Sequence, residues 1–323
     1  MTTNKPAPPL LVLIAFAAVY LIWGSTYFFI RLAEEGGMPP LLIGALRFTT
    51  AGLLLLGWCA FKREKIFVWK YIVSASVTGF LLLFVAIGVV LLAERTIPSG
   101  VVAILVSSAP IWFVVLDKRN WAVNFRSKAT ILGLIIGFGG VILLFSEQIG
   151  HVFSGIGGSS MLIWMFLLLL GSIAWSAGSL YSKHSQTTIS ASVSTAWQMI
   201  AGGIVYFPAA LLHGEFSNIN WQIIHLQSWI GLLYLIIFGS IAAYSAYVWL
   251  LNVRSATQVS TYAYVNPVIA VILGMVFAAE HISLIQIAGL VVILGSVLLI
   301  NLAKYRSKVV RVGKVAAVEK VKS

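Results

Sequence analysis

Charge is what this sequence has least of. Only 9% of its 323 residues are Asp, Glu, Lys or Arg, against 60% hydrophobic residues and a mean hydropathy of +1.00. Soluble domains carry about 25% charged residues, so no water-facing surface of ordinary size can be assembled here. A large soluble catalytic domain and a nucleic-acid reader are excluded on that ground. A single cysteine, Cys59, excludes an intrachain disulfide and with it a disulfide-stapled secreted module. No P-loop, HExxH motif or Cys/His cluster occurs, so the sequence indicates neither ATP hydrolysis nor metal chemistry, and no cofactor.

What remains is a series of long apolar runs, at residues 10–30, 39–61, 70–92, 97–116, 129–146, 161–181, 191–212, 228–251, 257–278 and 282–302. Each is about long enough to cross a bilayer as a helix. None alternates as barrel strands do, so the expected class is an all-α, polytopic membrane protein with ten transmembrane helices. The first run is too long, and too rich in Trp and Tyr at its end, for a cleaved signal peptide. All but three of the 21 Lys and Arg residues fall on one side by loop parity; Arg31 and Arg95 fall on the other, and Arg47 within a run. The positive-inside tendency then places both termini in the cytoplasm, in a plasma (inner) membrane. The net charge of +12 is thereby a topology signal. The basic tail from Lys304 needs no partner beyond anionic lipid headgroups, and nucleic acid is not expected.

The chain repeats itself. Trp23 of the first run matches Trp175 of the sixth; Ala51-Gly52 matches Gly202-Gly203, which sets Arg47 opposite Gln198; Pro110 matches Pro267; Gly133-Leu134 matches Gly289-Leu290. The offsets stay within a few residues of one another and run in chain order. Five helices is an odd number, so a second copy must enter the membrane from the opposite side. The expectation is a 5+5 inverted repeat, an architecture of alternating-access transporters.

These segments resemble the drug/metabolite transporter superfamily, in particular its ten-helix EamA-type permeases. The resemblance runs from about Val12 to Asn301, on Trp23-Gly24-Ser25-Thr26, Pro39-Pro40 through Arg47-Phe48, Glu94-Arg95-Thr96-Ile97-Pro98-Ser99-Gly100, and Tyr262-Ala263-Tyr264-Val265-Asn266-Pro267 on to Glu280. It implies export or exchange of small metabolites such as amino acids, without ATP, through a central cavity between two halves. The expected organisation is a cytoplasmic tail at 1–9, a first EamA-type repeat at 10–146, an external linker at 147–160, a second repeat at 161–302 and a basic cytoplasmic tail at 303–323.

Polar and aromatic side chains at helical spacing mark the faces that would line such a cavity. Tyr20, Trp23 and Tyr27 share one face of the first run, with Ser172, Trp175 and Ser179 as their repeat mates. Ser240, Tyr244 and Tyr247 share a face of the eighth, and Gln258, Tyr262 and Asn266 a face of the ninth. The substrate-contact candidates are Trp23, Tyr27, Arg47, Trp175, Ser179, Gln198, Tyr244, Tyr247, Tyr262 and Asn266. The competing reading is helix packing or headgroup anchoring by the aromatic residues. Arg47, at mid-depth, either docks a substrate carboxylate or clamps helix-end carbonyls or Glu34 or Glu35. Pro110 and Pro267 are hinge candidates that free the carbonyls of Val106 and Ala263, with Ser107 and Ser108 placed to help satisfy the backbone.

Gly133 and Gly137 form a face for close helix packing, within the monomer or in a homodimer. No Asp or Glu lies deep in any run, so the usual carboxylate relay of proton-coupled carriers is missing; Glu280 is the nearest candidate. The five histidines, His151, His184, His213, His225 and His281, are scattered among loops and helix ends. An enzyme is therefore not expected, while a channel-like facilitator and a sensor scaffold are the other classes weighed.

Overall fold

The computed structural model describes residues 7–97, 99–146, 159–185, 189–278 and 283–302. The expectations placed on Pro98, His151, Glu280, His281 and the tail from Lys304 fall outside those residues. Within them the chain is helical, with no strand. The principal helices are α1 (Pro9–Glu35), α2 (Pro40–Phe61), α3 (Trp69–Ala93), α4 (Gly100–Leu116), α5 (Lys128–Leu144), α6 (Met161–Ser185), α7 (Ala191–Leu212), α8 (Leu226–Val253), α9 (Ala256–Leu273) and α10 (Leu284–Leu302). Eight of these are long and apolar enough to cross a membrane. A ninth is reached if α4 and the segment Lys118–Arg126, bent from it by 65°, count as one span, and α5 is a shorter apolar helix. Large apolar side chains such as Leu13, Leu53, Ile135, Leu162 and Val291 point outward from the bundle, as a lipid-facing surface requires and a water-facing one forbids.

Local chemistry sets the helix starts. Pro9 and Pro40 stand in the first turns of α1 and α2, where a missing N–H costs nothing. Ser127 and Ser190 cap α5 and α7 by accepting from Thr130 N and Val193 N. The first turn of α2 is satisfied from far away: the Glu215 carboxylate, after α7, accepts from Leu41 N at 3.3 Å and Leu42 N at 2.9 Å.

The centre of the bundle is the α2–α7 crossing, and glycine makes it possible. A Cβ on Gly52 would come within 2.7 Å of Ile200, and one on Gly203 within 2.5 Å of Thr49. Each glycine thus packs against the residue three before the other, Gly52 on Ile200 and Gly203 on Thr49. Gly133 packs on Ile300 and Gly137 on Tyr264 and Ser296, all within this chain.

Two features were not anticipated. Both α3 and α8 widen into π-helical turns in mid-helix, at Phe80–Ala86 and Leu235–Tyr244. Such turns loosen the backbone ladder, and in each one a carbonyl is held from another helix: Tyr206 Oη donates to Leu83 O at 2.6 Å, and Trp23 Nε1 donates to Gly239 O at 3.0 Å. Each proline lies C-terminal to a break. α4 is interrupted at Ser107-Ser108, so Pro110 begins the second half of the helix. α9 turns at Ser260-Thr261, after which Pro267 lies inside a continuous helix. The carbonyl that Pro267 frees, Ala263 O, accepts from Ser107 Oγ at 2.8 Å.

Candidate functional site

α1, α6, α8 and α9 bring five aromatic rings together at mid-depth. Trp23 packs edge-on against Trp175 at 5.6 Å and against Tyr262 at 4.9 Å, and lies 5.0 Å from Tyr247 and 6.4 Å from Tyr244. Edge-to-face and tilted packing at these separations is the favourable geometry for rings. The spacing of Trp23 and Trp175 on their helices puts both at one level, and the narrow backbone at Gly239 lets the Trp23 indole reach a carbonyl.

Above this layer lies a cavity of about 110 Å³, with room for several waters or a small solute. Its apolar wall includes Ile30, Leu83, Ile87, Val90 and Leu91, and its base is formed by Trp23, Trp175, Tyr244 and Tyr262. The wall residues of α1 and α3 belong to the C-terminal halves of those helices, so the cavity extends from mid-depth toward the face carrying the α1–α2 and α3–α4 connections. Of the substrate-contact candidates, Trp23, Tyr27, Arg47, Trp175, Tyr244, Tyr262 and Asn266 line it.

Ser179 and Gln198 lie on the other side of the rings and anchor a layer of two hydrogen-bonded clusters, one on the Tyr247 hydroxyl and one on the Tyr244 hydroxyl. The Tyr247 hydroxyl accepts from Trp175 Nε1 at 3.0 Å and bonds Ser179 Oγ at 2.6 Å. Tyr244 Oη donates to Gln198 Oε1 at 2.6 Å, and the Gln198 amide in turn donates to Ser194 and Ser182. Tyr20 on α1 bonds Thr261 on α9 at 2.7 Å, apart from those clusters. At the far end, Lys183 Nζ donates to Arg254 O at 2.7 Å and to Leu251 O, holding the otherwise orphaned last carbonyls of α8.

Arg47 is buried, 7% exposed. Its Nε donates to Ser240 Oγ at 2.9 Å and its guanidinium carbon sits 4.8 Å over the Phe48 ring. Among the described residues no carboxylate pairs with it. A Cβ on Gly239 would meet Arg47 Nη2 at 2.9 Å, so glycine there makes room for the guanidinium. Asn266 is 6% exposed, and its Oδ1 has no hydrogen-bond partner.

At the cavity mouth, Arg31 pairs with Glu35 at 2.7 Å and Arg95 with Glu215 at 3.8 Å. Burial, with Glu34 beside it, pushes the Glu94 carboxyl up to about 7. Among the described residues no group of His, Cys, Asp and Glu is arranged to hold a metal.

The partner of Arg47, Ser240, was visible as a polar residue on the face of Tyr244 and Tyr247. Lys183 as a helix cap was missed, although it stands eight residues after Trp175, as Arg31 does after Trp23.

A family model described as the EamA-like transporter family matches residues 10–146 and 162–302. A protein named an uncharacterized inner membrane transporter, YedA, from Escherichia coli (strain K12) is 38% identical over 292 residues, 90% of each chain. The uncharacterized transporter YvbV of Bacillus subtilis (strain 168) is 24% identical, covering 96% of this chain and 97% of that one. A WAT1-related chloroplastic protein of Arabidopsis thaliana is 27% identical over 87% of this chain and 67% of its own. One solved crystal structure superposes with a TM-score of 0.76 over 93% of this chain and 99% of the other, at 19% identity, a likeness of fold alone.

Proposed function

This chain belongs to the EamA-like transporter family, and from that premise we propose that it is a secondary carrier that exports or exchanges small metabolites by alternating access. The observation that carries this reading is a cavity with a floor: it extends toward one face and ends on the Trp23, Trp175, Tyr244 and Tyr262 rings, with a hydrogen-bonded layer beneath. A channel needs a continuous path, whereas a carrier in one of its two states has a blind one.

The arrangement is ten helices in two inverted halves, both termini in the cytoplasm of a bacterial-type inner membrane. The two separate family matches and the reciprocal contacts of Gly52 and Gly203 support it, as do the π-helical turns in α3 and α8. In that orientation the cavity faces outward. Lys183, tied to the end of α8, holds the cytoplasmic side shut. Arg31, its counterpart at the outer side, is 76% exposed in an ion pair with Glu35. In the inward-facing state the two exchange roles: Arg31 caps the end of α3 while Lys183 lets α8 go. The ring layer stays between, and substrate passes when α4 and α9 rearrange at Ser107-Ser108 and Ser260-Thr261, with Pro110 and Pro267 beside them.

Counterflow in proteoliposomes tests the reading. A carrier gives saturable uptake of labelled substrate driven by unlabelled substrate inside. Uptake that rises linearly with concentration and ignores internal substrate would contradict it.

A further inference from the structure

With the orientation proposed above, on which this inference rests, the connection between α4 and α5 lies at the cytoplasmic face of the membrane. The segment Lys118–Arg126 leaves α4 at a bend of 65°, which turns the chain from crossing the bilayer toward running along its surface. Lys118, Arg119, Arg126 and Lys128 are exposed there, and so are the rings of Trp121 and Phe125, which pack edge-on at 6.0 Å. Trp121 Nε1 donates to Val115 O at 2.9 Å, so the indole folds back on the end of α4, where Val115 is itself exposed. Aromatic and basic side chains together, continuous with a lipid-facing helix end, suit the headgroup level of a bilayer.

The acids that could neutralise this surface are engaged elsewhere. Among the described residues the connections on this side hold two. Asp117 is buried and accepts from Asn120 Nδ2 at 2.9 and 3.1 Å, and Glu64 accepts from Ser190 Oγ. No ion pair among the described residues involves any of the four basic side chains. Their counter-charge must come from outside the chain, and a phosphate at headgroup depth supplies it. On its protein side the segment is tied down: Asn124 is buried, and its Oδ1 accepts from Thr257 Oγ1 at 3.3 Å. Thr257 stands in the first turn of α9, three residues before the Ser260-Thr261 break.

We propose that residues 118–128 hold an anionic phospholipid of the cytoplasmic leaflet, its phosphate on Lys118, Arg119, Arg126 and Lys128 and its acyl chains against Trp121 and Phe125. Through Asn124 the bound lipid steadies the start of α9 and so favours the state closed on the cytoplasmic side.

The purified full chain, as Ala122→Cys in a Cys59→Ser background, carries a fluorescent bimane and is reconstituted into phosphatidylcholine vesicles. These contain an equal share of either spin-labelled phosphatidylglycerol or spin-labelled phosphatidylcholine. The anionic lipid should be enriched around the probe at least about fivefold, the effect of one basic residue near an anionic surface. The preference should fade at about 1 M salt, where charges reach only about 3 Å. Lys118→Gln, Arg119→Gln, Arg126→Gln and Lys128→Gln together should bring the two lipids level, while Lys62→Gln with Lys65→Gln, in the α2–α3 connection on the same side, should leave the preference intact. Equal quenching by both lipids around the unaltered basic segment, no quenching by either, or a preference lost equally with Lys62 and Lys65 overturns the inference. The salt series decides this even where the fourfold variant fails to fold. Ser179→Cys in the same background should react with maleimide several-fold more slowly in vesicles containing phosphatidylglycerol than in phosphatidylcholine alone; equal rates overturn the link to α9. The quenching needs no transport: lipid preference without counterflow contradicts the carrier reading alone, and counterflow without lipid preference contradicts this inference alone.

Discussion

The two ends of the ring layer are built from equivalent sequence and are not in equivalent states. Toward the connections of α2–α3 and α6–α7, Ser179 is bonded to Tyr247, and Lys183 to the end of α8. Toward the other face, their counterparts Tyr27 and Arg31 line an apolar cavity and make an exposed ion pair. The same helical face is thus knitted on one side and parted on the other. What distinguishes the knitted side from the parted one is a few hydrogen bonds and one helix cap, each worth roughly 1 kcal/mol. Such small differences are what the proposed exchange between two states requires.

The knitted side should be the sensitive one. Tyr247→Phe leaves the Trp175 indole N–H and the Ser179 hydroxyl without their shared partner. It should cost about 1–3 kcal/mol, read as a lowered thermal midpoint of the purified protein. An unchanged midpoint would remove the hydrogen-bonded layer as a source of stability. Lys183→Met keeps the packing of the side chain and removes the cap on α8. A partly buried cap of this kind is worth about 1–2 kcal/mol, a five- to thirtyfold change in population, so the variant should favour the state open on the Lys183 side.

At the open mouth the effects are smaller and depend on pH. An unfolded glutamate of pKa 4.5 becomes one of about 7 at Glu94. Between those values the folded protein holds the proton more tightly than the unfolded chain does. Stability should therefore be fullest below about 4.5, fall as pH rises through that window, and level off above 7. The charges surrounding this site are Glu34 on α1, which itself faces Arg95 and Glu215. Glu94→Gln should flatten that dependence, measured as thermal midpoint against pH; a slope that survives the substitution assigns it elsewhere. Smallest of all, Arg31→Gln removes a solvent-exposed i,i+4 pair and should change stability by no more than about 0.5 kcal/mol. A loss as large as that of Lys183→Met would erase the contrast between the faces.

Much of this was written in the order of residues. Helical spacing grouped Tyr20, Trp23 and Tyr27, and repetition located Trp175 and paired Gly52 with Gly203, because both depend on local period and internal likeness. Depth along a helix was harder: Ser179 and Gln198 share faces with cavity residues yet sit past the rings, and Tyr247 belongs to the ring layer without lining the cavity, since a helical face does not tell which side of a constriction a residue occupies. The π-helical turns escaped notice because no residue type encodes them; they arise where Trp23 and Tyr206 supply donors to loosened carbonyls. Glu215 on the first turn of α2 and Lys183 on the end of α8 are tertiary caps between distant parts of the chain, beyond the reach of local capping patterns.

Site-directed labelling of the counterpart positions Tyr27 and Ser179 tests alternating access most directly. In a Cys59→Ser background, Tyr27→Cys and Ser179→Cys are probed separately with a membrane-impermeant maleimide on sealed vesicles of both orientations. Tyr27→Cys should react only from outside, and Ser179→Cys should be protected from both sides. Adding Lys183→Met should reverse this, exposing Ser179→Cys to the cytoplasmic side and protecting Tyr27→Cys. Reaction of both positions from one side, or a pattern indifferent to Lys183→Met, would contradict it.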